Sequence, residues 1–139
     1  MGCDIHLYTE IKIKGRWHAH NHPDVNRNYD LFAKMAGVRS RDEIKPIVQP
    51  RGFPKNASFI ARLDYKHWGR DAHSASYLNQ KEIKILAEWC ERQPWGKELF
   101  WFEHEFGYLF GNTIYNLRKY KEDYPKGIED VRFVFWFDN

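Results

Sequence analysis

The chain has no apolar run of about 18 residues, so no membrane-spanning helix is expected. It has no cationic segment followed by an apolar one at its start, the pattern of a secretory signal. A cytoplasmic protein with no membrane partner is the expectation. Cysteine is scarce. Cys3 and Cys90 are the only two, without a C-x-x-C pair. The two could form one disulfide in principle, but two reduced thiols filling core space are the expectation. Charge of one sign is also scarce. Twenty-two Lys and Arg against nineteen Asp and Glu leave +3, and no cationic run stands out. That permits an anionic small molecule but argues against extended nucleic acid, which needs a clustered basic patch. There is no P-loop, no G-x-G-x-x-G, no G-x-S-x-G, no repeat and no low-complexity linker.

What the chain has in excess is aromatic side chains, 17% of its 139 residues. A chain of this length suits one domain spanning residues 1–139, with a core rich in rings whose Tyr OH and Trp NH groups need partners. Residues 3–13 alternate as a strand, with Cys3, Ile5 and Leu7 on one face and Asp4, His6 and Tyr8 on the other. Lys14-Gly15 is a turn, and Arg16–His20 returns as its hairpin partner. Leu31, Phe32, Met35 and Val38 have helical spacing behind Asn28 as N-cap, with Gly37 as the stop. The stretch 39–56 holds three prolines and reads as an ordered irregular loop. Ser58–Trp68 reads as a helix with Phe59, Leu63 and Tyr65 inward, and 69–78 as a second loop. Asn79 and Glu82 form a capping box for a helix whose stripe is Ile83, Leu86, Ala87 and Cys90. Residues 97–110 are apolar on both periods, and 111–124 read as a further helix. VRFVFWFDN closes the chain as a strand, with Val131, Phe133, Phe135 and Phe137 on one face and Arg132, Val134, Trp136 and Asp138 on the other. The fold class is α+β: a small antiparallel sheet including both terminal strands, covered by three to four helices. If the terminal strands pair, Asp138 comes near Asp4 or His6.

Four stretches join polar groups to a constrained backbone. Asp4 and His6 share a strand face and suit an acid/base pair or metal ligation, or simply a polar sheet edge. Arg27, Arg39 and Arg51 carry forks that fit phosphate or carboxylate, or else pair with nearby Asp residues. His73, Ser74 and Ser76 before a helix suit an anion, or an elaborate cap. HAHNH puts His18, His20 and His22 at alternate positions, but the last falls in a loop and an exposed hairpin end is the expected reading. Tyr29, Tyr77 and Trp136 are available for stacking.

Five of these segments, in order along the whole chain, carry a resemblance: MGCDIH, RNYDLFAKMAGVR, PRGFP, DAHSASYLNQKE and VRFVFWFDN. The sequence resembles a family of small uncharacterised proteins of tailed phages, prophages and some bacteria. Phe53, Ala72 and Asn79-Gln80 depart from the family's usual Leu, Gly and Thr-Leu. The resemblance implies a phage-associated context, an infected or lysogenic bacterial host, and a shared polar site; it supplies no reaction. Together these readings point to capture of a phosphorylated small ligand, a nucleotide or nucleotide-derived immune signal. Its binding residues would be Asp4, His6, Arg27, Asn28, Tyr29, Arg39, Arg51, His73, Ser74, Ser76 and Asp138, with no cofactor. The alternative is a phosphodiester hydrolase in which Asp4, His6, His73 and Asp138 act as acid and base or hold a divalent metal. A second alternative is a protein-binding inhibitor of a host defence protein.

Overall fold

In a computed structural model of the chain, residues 2–41, 43–98 and 127–139 are described. Their elements run β1 (Asp4–Ile13), β2 (Arg16–Asn21), α1 (Tyr29–Ala36), α2 (Phe59–Trp68), β3 (His73–Leu78), α3 (Gln80–Glu91) and β4 (Ile128–Asp138), with short 3-10 turns at Gly69–Asp71 and Gly96–Glu98. The four strands form one antiparallel sheet in the order β2-β1-β4-β3. The fold is therefore α+β, with both terminal strands at the centre of the sheet. The further helix expected over 111–124 and most of the ambiguous 97–110 lie outside the described residues.

The β1–β2 hairpin closes through Lys14 and Gly15, both with positive φ (49° and 76°), the two-residue turn whose twist suits paired strands. Asn28 caps α1 by accepting the Leu31 N–H, and Gly37 ends it in the left-handed region at φ 72°. The Asn79–Glu82 capping box opens α3 as its sequence requires.

The alternation of β1 and β4 divides the sheet into two faces. One carries Ile5, Leu7, Val131, Phe133, Phe135 and Phe137 and is covered by α1 and α3, which contribute Leu31, Phe32, Met35, Ile83, Leu86 and Cys90. Both cysteines are buried here as free thiols, and burial pushes the Cys90 thiol up to about 12. The irregular stretch before α2 sends Ile47 and Val48 against the same core.

The other face is built around Trp136, which is fully buried with Tyr8, Ala57, Ala61 and Ala75. Here α2 differs from its expected orientation. Phe59 and Leu63 are exposed, at 67% and 56%, and Ala61 is the buried residue. The small Ala57 and Ala61 let the helix approach the Trp136 indole. Tyr65 then stacks on Phe53 at 4.2 Å, and both rings meet Trp136 edge-on. The expected loop over 69–78 is a correction too. After one 3-10 turn it becomes the edge strand β3, bulged between His73 and Ser76, with Ser74 at φ 54°. Its small polar residues hid the strand signal, and pairing with the apolar β4 supplies it.

Glu10 and Arg132 face each other directly across β1 and β4 and are almost fully buried. The Arg132 Nε–H donates to Glu10 Oε1 at 2.8 Å, and the other Glu10 oxygen accepts the Ser58 N–H at 2.7 Å. Arg132 also donates to Asn56 Oδ1 and lies 4.0 Å from the Trp17 ring centroid. Every charge is thus matched, and the start of α2 is tied to the sheet. Replacing Glu10 alone with Gln strands a buried guanidinium, so urea unfolding of E10Q should show a loss of about 3–5 kcal/mol. An E10M/R132M double variant should recover most of that loss, and a double variant as unstable as E10Q would contradict this assignment.

Candidate functional site

The β1–β4 register sets Asp4 opposite Asp138 and His6 opposite Trp136. Two carboxylates facing each other across strands repel, and each has acquired a different cation-forming partner. Arg27 reaches Asp4 with a two-pronged fork, Nε to Oδ1 at 3.0 Å and Nη2 to Oδ2 at 2.9 Å. His6 Nε2 meets Asp138 Oδ2 at 2.5 Å. An ionised carboxylate can only accept, so Nε2 carries the proton and Nδ1 of the neutral ring holds the bare lone pair. The imidazole is fixed between rings, with the Trp68 centroid at 4.2 Å and the Trp136 centroid at 5.6 Å.

Asp4, His6 and Asp138 line an open pocket of about 480 Å3 together with His22, Asp24 and Trp68. Asp138 and His6 are mostly buried at its floor, while His22 and Asp24 are exposed at its rim. The sequence reading missed the last three residues named. His22 was placed at a hairpin end, yet its Nδ1 contacts the Leu7 carbonyl at 2.8 Å and its ring stacks on Tyr8 at 4.2 Å. The H-x-H-x-H alternation was the available signal. His18 and His20 are exposed on β2, and the third imidazole folds back over the sheet. Trp68, the last residue of α2, carried no local signal.

The remaining expected ligand residues lie elsewhere. Asn28 is occupied as the α1 cap. The Tyr29 hydroxyl accepts the Cys3 N–H at 3.1 Å, and Arg39 lies over the Tyr29 ring at 5.5 Å. Arg51 forks onto Glu82 (2.8 and 2.5 Å) and donates to the Tyr77 carbonyl, while its backbone N–H donates to Ser76 Oγ. Burial pushes the Glu82 carboxyl up, but Arg51 and the Asn79 N–H together draw it below the ordinary range. His73 pairs with Phe137 and stacks over that ring, so it belongs to the opposite face of the sheet from His6. Its nitrogens contact Ser74 Oγ and Asn139 Oδ1. Trp136 is buried and not available for stacking on a ligand, and its indole N–H has no acceptor among the described residues. Of the eleven residues expected to converge, Asp4, His6 and Asp138 line the pocket, with Arg27 joined to it through Asp4. Among the described residues, no three His, Cys, Asp or Glu side chains are arranged to hold a metal ion, and no helix is long and apolar enough to cross a membrane.

Compared with protein-family models, curated proteins and solved structures, the chain matches none of them.

Gly2 has a role here that its place in MGCDIH does not reveal. A methyl group on its Cα would lie 2.2 Å from Arg27 Nη1, so the guanidinium packs where a side chain would be. The Arg27 fork is the main cause holding the Asp4 carboxyl below the usual range. In R27A the Asp4 carboxyl should titrate at higher pH, followed by carboxyl NMR. A depressed folded-state pKa contributes stability above the unfolded pKa that is lost as pH falls through the folded one. The stability gap between wild type and R27A should therefore close on acidification, and it should be small because the pair is half exposed. An unmoved Asp4 titration would contradict the assignment.

Proposed function

We propose that the pocket is the active site of a small acid–base enzyme that cleaves a phosphoester of nucleotide type, with His6 as the proton-transferring group. The observation that carries this reading is the 2.5 Å contact between His6 Nε2 and Asp138 in a pocket open to solvent. Asp138 fixes the ring orientation and tautomer and stabilises the imidazolium formed when Nδ1 accepts a proton. Asp4 and Asp24 supply acceptors for the amino and hydroxyl edges of a base or ribose, and Trp68 offers a flat apolar wall. Simple capture of a phosphate by arginine clamps has less support, since Arg27 and Arg51 are closed by Asp4 and Glu82. The resemblance to phage proteins supplies the setting, in which removal of a nucleotide immune signal in the bacterial cytoplasm is the biological role we infer. A second reading, an inhibitor that docks on a host protein, is favoured by Phe59, Ile60 and Leu63, exposed side by side on α2.

The test is incubation of the purified protein with cyclic and linear nucleotides, following both melting temperature and products. One nucleotide should be consumed, and both H6Q and D138N should slow that turnover by about 10²–10⁴-fold, the usual worth of a positioned acid–base group. Ligand returned intact with a raised melting temperature would point back to capture. No shift and no product with any nucleotide at millimolar concentration would overturn the proposal.

A further inference from the structure

The pocket holds two imidazoles, and their hydrogen bonds leave complementary nitrogens available. His6 is tied at Nε2 by Asp138, which leaves Nδ1. His22 is tied at Nδ1 by the Leu7 carbonyl, which can only accept, so Nε2 is left. Neither remaining nitrogen has a hydrogen-bond partner among the described residues. The two rings belong to one face: His22 stacks on Tyr8, and Tyr8 follows His6 by two positions along β1. The described residues lining the pocket include no Ser, Thr, Cys, Tyr or Lys. A pair of imidazoles with no hydroxyl, thiol or amine beside them among the described lining residues suits a nucleophile supplied by water or by the substrate itself.

We infer that His22 is a second catalytic residue, the general acid opposite His6, and that the substrate class is a ribonucleotide phosphodiester cleaved by its own 2′-hydroxyl. This rests on the acid–base reading above and names its substrate. In the step, His6 Nδ1 takes the proton of the 2′-hydroxyl as O2′ forms a bond to phosphorus. The bond from phosphorus to the 5′-oxygen breaks, and His22, entering the step as an imidazolium with Nδ1–H on the Leu7 carbonyl, gives that oxygen the proton on its Nε2. The products are a 2′,3′-cyclic phosphate and a free 5′-hydroxyl. No electron is transferred, and exchange with water restores both rings.

The experiment uses the full chain with three probes: the ribodinucleotide UpA, its 2′-deoxy counterpart, and uridine 3′-(4-nitrophenyl phosphate). UpA should give the cyclic phosphate, and the deoxy compound should be inert. H22Q and H22F, the second keeping the stack on Tyr8, should slow UpA cleavage at least a hundredfold. On the nitrophenyl ester the same variants should lose less than tenfold, because that leaving group needs no proton. H6Q should lose activity on both esters. Equal loss on both esters in the His22 variants, no loss on UpA, or cleavage of the deoxy compound would overturn this inference while leaving the acid–base reading standing. A wild-type protein inert to all three probes but active on another nucleotide would overturn only the substrate class and the role of His22. Inertness to every nucleotide would overturn both readings.

Discussion

The structure depends on the antiparallel register between its first and last strands. Slipping β1 against β4 by one residue would turn Asp4, His6 and Glu10 toward α1 and α3 and bring Ile5 and Leu7 out. The apolar alternation of both strands forbids that slip, because Phe133, Phe135 and Phe137 must meet Ile5 and Leu7 under the two helices. The same restriction sets Asp138 beside His6. The pocket is in this sense a by-product of core packing, since the residues that bury the hydrophobic face determine which polar groups meet on the other one.

That second face is held by charge and ring contacts as much as by aliphatic packing. Glu10 and Arg132 form its buried ion pair, and through Ser58 and Asn56 they anchor the chain entering α2. The helix then ends at Trp68, which closes one side of the pocket. A structural pair at one end of the face and a chemical pair at the other are therefore connected by one helix of ten residues. The buried Trp136 ring spans the interval, touching His6, Tyr8, Phe53 and Tyr65.

Much of this was legible in the chain alone. The caps at Asn28 and Asn79, the Lys14-Gly15 turn and the alternation of both terminal strands are local signals, and each forms as its residues require. The orientation of α2 was not legible, because Phe59 and Leu63 look like a buried stripe until Ala57 and Ala61 are seen to fit the Trp136 indole. The strand β3 was hidden for a similar reason: HSASYL has little strand propensity, and β4 recruits it. In the site, Asp4, His6 and Asp138 were readable from strand alternation. His73 was assigned to the wrong company, since no sequence pattern says which face of the sheet a bulged edge strand presents. Arg51 met Glu82 through the α3 capping box, a contact 31 positions apart in the chain. His22 and Trp68 were missed because both arrive at the pocket from the ends of elements, where periodicity stops.

The central claim is that the terminal strands fix His6 in one tautomer against Asp138. Long-range proton–nitrogen NMR on histidine-labelled protein, at a pH where the rings are neutral, reads this directly. The account requires His6 to carry its proton on Nε2, with Nδ1 bare, and requires that preference to disappear in D138N. A His6 ring protonated on Nδ1, or one dividing its proton between the two nitrogens in the wild type, would contradict it.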